Sequence, residues 1–332
     1  MNSPMNEHRY NPATGLTSIY VPERGQRPLD EAPPRKPVES PESCPFCPGN
    51  EAMLPEILEQ TPGPGPAGWT TRVTPNKFPG VRLDAGGETG AHGPYGRAPA
   101  HGRHEIIIES PGHDLDLAQM GPAELCAVVD TYHRRYSTIE RENPGLTPVL
   151  FRNHGPSSGA SLGHPHAQLM AVRGRPAGLG ARAAAARRHF EENGRCALCD
   201  IAAFERRERR RMIAENESFL VFVPFAAAGP SEVWLVPKRH EPSFGAIGGP
   251  ERKDLAAALG DALHRIHRGL DDPDYNFFIC SLAETGGEAY LHWWLEIRPR
   301  LTILGGYELA SCVTVVPSVP EDDAARLRKA GA

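Results

Sequence analysis

Apolar positions divide the chain into two similar halves. Leu125, Val128, Val129, Tyr132, Tyr136 and Ile139 recur at the three- and four-residue spacing of one helical face. Leu255, Leu259, Ala262, Ile266 and Leu270 repeat that pattern further on. Pro122 and Pro250 open the two segments, and proline suits a first helical turn, where its missing N–H has no partner to lose. An apolar strand follows each helix, over 148–152 and 276–280. An apolar stretch closing on a histidine precedes each, 104–113 ending at His113 and 231–240 ending at His240. Each half then ends on a histidine-led strand, 164–169 and 292–297.

The spacing argues that this is duplication. His113 and His164 lie 51 positions apart, and His240 and His292 lie 52 apart. The pattern predicts duplicated α+β units, each an antiparallel sheet with one long helix against it. The division falls at 1–190 and 191–332. Residues 173–195, rich in Ala, Arg and Gly, predict a helix and a connection between the units. Residues 84–103 predict a mobile surface loop, and 1–40 show little periodicity.

Composition narrows the function classes. The 332 residues carry 36 Lys and Arg against 41 Asp and Glu, a formal charge of −5. No basic excess supports nucleic-acid binding. No apolar run approaches the roughly 20 residues of a membrane span, and Met1 to Tyr10 lack the apolar core of a signal peptide. The expected compartment is the cytoplasm, where the seven cysteines stay reduced and read as metal ligands or packing before disulfides. Glycine and proline number 34 each, so loops are numerous.

Two cysteine pairs give the repeat a chemistry. Cys44-Pro-Phe-Cys47 in the first half matches Cys196-Ala-Leu-Cys199 in the second. CxxC places two thiolates at one turn, and zinc completes such a site with two distant ligands. The expected sets are Cys44, Cys47, His113 and His164, and Cys196, Cys199, His240 and His292. Four protein ligands and no open position make a site structural, so two structural zinc ions are predicted. Cys126 and Cys280 read as core, and Cys312 has no assigned role.

The segment 153–168, NHGPSSGASLGHPHAQ, runs from one strand into the next. Its small residues let backbone amides approach an anion, and Ser157, Ser158 and Ser161 add hydroxyl donors. In a regular strand His164, His166 and Gln168 share one face. With His164 on the metal, His166 is available as a nucleophile toward phosphorus, and Gln168 as a donor to a phosphoryl oxygen. Packing, or a further metal ligand, is the other reading of His166. The second half has Trp294 and Glu296 at the matching positions, so it keeps the metal ligand and lacks the reactive pair.

At this point the chain resembles the galactose-1-phosphate uridylyltransferase family of the histidine-triad superfamily, from about residue 10 to 330. The motif HPHAQ at 164–168 carries the likeness most specifically. Asn153, Gly159-Ala-Ser161, 21–28 (VPERGQRP), 44–51 (CPFCPGNE), 75–79 (PNKFP), 110–113 and Gly306-Tyr307-Glu308 add to it. The resemblance implies two tandem histidine-triad-like domains, the first catalytic. It implies nucleotidyl transfer by double displacement. His166 attacks the α-phosphorus of a nucleoside diphosphate sugar, sugar 1-phosphate leaves, and a phosphate-bearing acceptor takes the nucleotide. It further implies contacts to nucleotide and phosphate from Arg24, Arg27, Asn76, Asn153, Gly159, Ser161 and Gln168, and to the sugar from Tyr307 and Glu308. A homodimer is implied as well, because family members complete the sugar pocket from a neighbouring subunit.

Departures bear on the acceptor. A second His-x-His, part of a further metal site in other members, reads His292-Trp293-Trp294 here. The double CxxC pattern is closer to the branch of ADP-glucose phosphorylase-like proteins, which use phosphate as acceptor. After Glu308 the chain follows neither branch. The leading expectation is uridylyl transfer from UDP-glucose to a hexose 1-phosphate. The rivals are a nucleotide-sugar phosphorylase, a nucleotide-sugar hydrolase and a non-catalytic nucleotide sensor. An intact His166 and Gln168 argue against the sensor.

Overall fold

A computed structural model describes residues 6–26, 40–282 and 286–331. Arg27 lies outside the described residues. In chain order the elements are β1 (Glu7–Tyr10), β2 (Thr17–Tyr20), β3 (Glu59–Pro62), β4 (Trp69–Pro75), β5 (Gly90–His92), β6 (Tyr95–Arg97), β7 (Gly102–Ile108), α1 (Pro122–Glu142), β8 (Leu146–His154) and β9 (His166–Arg173). The second half adds α2 (Ala177–Asn193), α3 (Ala197–Glu208), β10 (Met212–Glu215), β11 (Phe219–Phe222), β12 (Val233–Pro237), α4 (Gly249–Gly269), β13 (Tyr275–Cys280), β14 (Trp294–Pro299), α5 (Gly306–Ser311), β15 (Thr314–Val316) and α6 (Pro320–Ala330).

The duplicated α+β units are joined in one antiparallel sheet of ten strands among the described residues, ordered β10-β11-β12-β14-β13-β8-β9-β7-β4-β3. Outward from the centre, β8-β9-β7-β4-β3 repeats as β13-β14-β12-β11-β10. The seam is β8 against β13, with Asn153 opposite Asn276 and Arg152 opposite Phe277. Two separate sheets would leave both these edges with unpaired N–H and C=O groups, and pairing them satisfies both rows.

Helices α1 and α4 lie on one face of the sheet. Both have a glutamate at the third position that accepts the backbone N–H just ahead of the helix, Glu124 from Gly121 at 2.8 Å and Glu251 from Gly248 at 2.9 Å. The residues predicted for their buried stripes are buried, with Leu270 half-buried past the end of α4. One apolar core runs beneath both helices, from Val128 and Ile139 through Leu169 and Leu295 to Leu259 and Ile266. Each such side chain contributes roughly 1.5–3 kcal/mol.

The opposite face is covered differently in each half. The segment around Cys44, Phe46 and Cys47 lies over Ile106 and Ile108, while Cys196 and Leu198 pack with Phe222, Trp234 and Trp294. The region read as a mobile loop, 84–103, holds the exposed hairpin β5–β6, turned at Gly93 with φ +59°, and the start of β7. The N-terminal region read as aperiodic contains β1 and β2, which β15 joins in parallel. Ser18 and Tyr20 donate to the Ala227 carbonyl, so this N-terminal hairpin docks on the second half.

Candidate functional site

The strands predicted to start at His164 and His292 start two residues later, at His166 and Trp294. Pro165 has no N–H for the ladder, and its carbonyl accepts instead from the Glu109 amide at 3.1 Å. His164 therefore leaves the strand. Its buried ring turns to the first cysteine pair, with Nδ1 at 3.5 Å from Cys47 Sγ, and His113 Nδ1 lies at 3.2 Å from the same sulfur. In the second half Cys199 Sγ lies 3.3 Å from His240 Nδ1 and 3.5 Å from His292 Nδ1.

Within each predicted set of four, the ligand atoms all lie within 4.8 Å of one another. Zn–S and Zn–N bonds of about 2.3 and 2.0 Å imply tetrahedral edges of about 3.3–3.8 Å, close to these separations. The tautomers fit as well. His164 Nε2 lies 2.8 Å from the Ser110 carbonyl and His240 Nε2 2.7 Å from that of Glu288. A carbonyl only accepts, so Nε2 bears the hydrogen and Nδ1 turns its lone pair to the thiols, as a metal requires. Burial pushes His164 down to about 4, which keeps it neutral. Both clusters thus have the donor set and shape for a metal ion, each with four protein ligands.

His166 and Gln168 share a face of β9, away from α1, and pair with Ile108 and Ile106 of β7. His166 is buried, and its ring meets Phe46, one of the two residues between the first pair of cysteines, edge-on at 5.1 Å. Its Nδ1 lies 2.8 Å from the His164 carbonyl. That nitrogen must donate, so in the neutral ring Nε2 carries the lone pair.

The loop from β8 to β9 reaches the same strand end. Gly155 (φ +78°) and Gly159 (φ +90°) bracket a short turn. A Cβ at Gly155 would stand 1.8 Å from Asp274 Oδ1, whose carboxylate accepts the Ser157 N–H at 2.6 Å. Asn276 of β13 donates to Asn153 Oδ1 at 2.8 Å and to the Ser158 carbonyl at 2.9 Å. With its oxygen so engaged, Asn153 presents its NH2 group, and a Cβ on Gly159 would lie 3.8 Å from that nitrogen. Ser161 is exposed on this loop.

Beneath the loop, the buried Arg152 guanidinium holds Glu109 (2.9 Å), Asp116 (2.7 Å) and the Tyr275 hydroxyl (2.6 Å). Burial raises the Asp116 carboxyl, but Arg152 and His154 outweigh it and hold the group well below the carboxylate range.

Of the other expected contacts, Asn76 lies beside the His166-Gln168 pair, its NH2 group 3.3 Å from His104 Nε2, which is 2.9 Å from Gln168 Oε1. Asn76 follows β4 and accepts the Phe78 N–H at 2.8 Å, while Arg24 is exposed on a turn after β2. Tyr307 and Glu308 lie on α5, and no hydrogen bond or ring contact among the described residues ties them to the His166 loop. Sequence reasoning passed over Phe46, Asn276 and Asp274 as site residues. Only the pairing across the seam brings the last two to the loop.

The matching position in the second half is filled. Trp294 packs on Trp234 at 5.2 Å, and Glu296 accepts from Arg182 at 2.8 Å and from Arg298. Burial raises the Glu296 carboxyl, and the two guanidinium groups more than reverse that, so it stays ionised. Cys280 is buried beside them, as expected of a core thiol, and Cys312 is exposed.

Comparison with known proteins identifies the family. The galactose-1-phosphate uridyl transferase N-terminal domain model matches residues 1–176, and the C-terminal domain model matches 183–296. An ADP-glucose phosphorylase of Arabidopsis thaliana is 32% identical over 97% of this chain and 92% of its own length. A galactose-1-phosphate uridylyltransferase of Thermotoga maritima is 26% identical over 98% of both. The crystal structure of an Arabidopsis ADP-glucose phosphorylase with bound ADP-glucose superposes with a TM-score of 0.84 at 30% identity, covering 98% of this chain and 99% of that one. The chain belongs to the galactose-1-phosphate uridylyltransferase family, whose members act on nucleotide sugars, and it carries that family's duplicated histidine-triad fold.

Proposed function

We propose that this protein is a nucleotidyltransferase that moves the nucleotide of a nucleoside diphosphate sugar through a covalent intermediate on His166. The observation that carries this is the His166 ring, locked by its Nδ1 bond to the His164 carbonyl at the mouth of the Asn153 loop. Nε2 attacks the α-phosphorus, the bond to the sugar-phosphate oxygen breaks, and sugar 1-phosphate leaves. The ring then carries positive charge, which the Nδ1–H bond to a carbonyl stabilises. An acceptor phosphate oxygen attacks the same phosphorus, the P–N bond breaks, and the imidazole is restored. Gln168, Asn153 and the Gly159–Ser161 backbone supply donors to the non-bridging oxygens as charge develops there. Arg24, Arg27, Asn76, Tyr307 and Glu308 complete the proposed contacts to nucleotide and sugar.

The likeness to ADP-glucose phosphorylase over nearly the full chain favours an adenylyl group and inorganic phosphate as acceptor. Uridylyl transfer from UDP-glucose to hexose 1-phosphate is the second reading, supported by the Thermotoga relative.

The proposed metal is zinc at both clusters. It supplies structural cross-linking, and in the first half that holds Phe46 against His166. Catalysis is assigned to the unit 1–190, and 191–332 is the unit without a reactive histidine. Among the described residues no helix is long and apolar enough to cross a membrane. A cytoplasmic homodimer is proposed, supported by the exposed apolar Ile303 (95%), Leu309 (70%) and Tyr307 (54%) around α5.

The test is mass spectrometry of the intact protein after incubation with ADP-glucose or UDP-glucose, then with phosphate or hexose 1-phosphate. The expected result is one nucleotidyl adduct, absent in His166→Ala and discharged by phosphate. An adduct retained in His166→Ala, or none from either donor, refutes the proposal. Discharge by hexose 1-phosphate alone selects the uridylyl reading.

A further inference from the structure

His104 stands on β7 beside Gln168, and the chain of hydrogen bonds through it has one consistent solution. The Gly80 backbone N–H donates to His104 Nδ1 at 3.1 Å. A backbone amide only donates, so Nδ1 carries no hydrogen and Nε2 carries the ring's single proton. Burial, acting against the Gln168 bond, lowers the His104 basicity and favours this neutral form. Nε2–H points at Gln168 Oε1, 2.9 Å away. The glutamine oxygen is thereby occupied, and its NH2 group becomes the end presented elsewhere. Asn76 does not compete for this proton. Its oxygen accepts from Phe78, and its NH2 group, 3.3 Å from His104 Nε2, faces another donor.

We propose that His104 is a positioning residue that sets the amide orientation of Gln168, so that the NH2 group and not the carbonyl meets the phosphoryl group transferred at His166. A flipped glutamine would direct a carbonyl oxygen at an anion, turning an attraction into a repulsion. Nothing in the amide's own shape prevents the flip, since O and NH2 are nearly the same size. The backbone N–H of Gly80 decides it, relayed through an imidazole. This rests on the reading of His166 as the nucleotide carrier.

The experiment compares wild type, His104→Phe, His104→Gln, Gln168→Ala and the double variant His104→Phe/Gln168→Ala. It measures the single-turnover rate of His166 nucleotidylation by ADP-glucose or UDP-glucose, the donor's Kd and the thermal midpoint. His104→Phe keeps a ring and loses the donor. It is expected to slow nucleotidylation about 10- to 100-fold, the loss of one oriented donor, with Kd changed less than about threefold. His104→Gln restores an N–H donor at similar reach and is expected to recover most of the rate. In the Gln168→Ala background the phenylalanine substitution is expected to cost less than about threefold, because there is no amide left to orient.

A His104→Phe rate equal to wild type overturns the proposal. So does an undiminished loss in the Gln168→Ala background, which marks a structural role, or a His104→Gln variant that is folded yet as slow as His104→Phe. If His104→Phe does not fold, His104→Ala provides the same comparison. Absence of any adduct on wild type refutes the His166 reading instead, so the two failures are distinguishable.

Discussion

Replacing Arg152 with methionine tests whether the ion cluster under the loop holds the site in place. Methionine keeps most of the volume and removes the charge. Arg152 and Glu109 have side-chain exposures of 2% and 0%, and Asp116 is 19% exposed. Removing one partner of a buried pair costs about 3–5 kcal/mol, because the remaining charge stays buried without compensation. The pH dependence has a definite sign. Burial pushes the Glu109 carboxyl up, and Arg152 opposes that. Without the guanidinium it rises further, so folding at neutral pH requires either a buried charge or proton uptake, at about 1.4 kcal/mol per pH unit. Below the ordinary glutamate value of about 4.3 the carboxyl is protonated in both states and this part of the deficit vanishes. Asp116 acts in the same direction. Its depressed value stabilises the fold above the aspartate range, and the variant loses part of that. Urea unfolding followed by tryptophan fluorescence at pH 5 and pH 8 is the assay. The expected deficit is larger at pH 8. A loss below about 1 kcal/mol, or a larger deficit at pH 5, would show that the cluster is not the staple described.

Two further outcomes follow from the geometry. Cys47→Ser and Cys199→Ser should each lower the bound zinc by one ion per chain. The first should also abolish nucleotidylation, because Phe46 loses its anchor against His166, whereas the second should chiefly lower the thermal midpoint; equal loss of activity in both would contradict the division of roles. Gly155→Ala forces a side chain into a positive-φ position and onto Asp274, a strain of about 1–3 kcal/mol, so the loop should shift and nucleotidylation should slow about tenfold or more; an unchanged single-turnover rate would show that the turn does not position the loop.

The repeat was legible along the chain because its signals are local or periodic. Leu125 to Ile139 and Leu255 to Ile266 mark buried helical stripes through spacing alone. Each CxxC with its two histidines announces itself by residue type, since few other functions require thiols and imidazoles together. Those donors do meet as two sets of four. The contrast between His166-Gln168 and Trp294-Glu296 was also visible, because equivalent strands can be aligned by their order.

What stayed hidden depends on contacts between distant segments. That the halves share one sheet follows from the edges of β8 and β13 meeting, and an edge's partner has no signature in its own residues. From that seam Asn276 and Asp274 reach the loop of the other half. His104 looked like the first residue of a strand, and only the fold sets it between Gly80 and Gln168. Residue types and spacings determined which chemistry this chain has available, because side-chain chemistry is local. The direction in which each amide and ring points was decided by tertiary structure, because a hydrogen bond's orientation belongs to two partners that sequence leaves far apart.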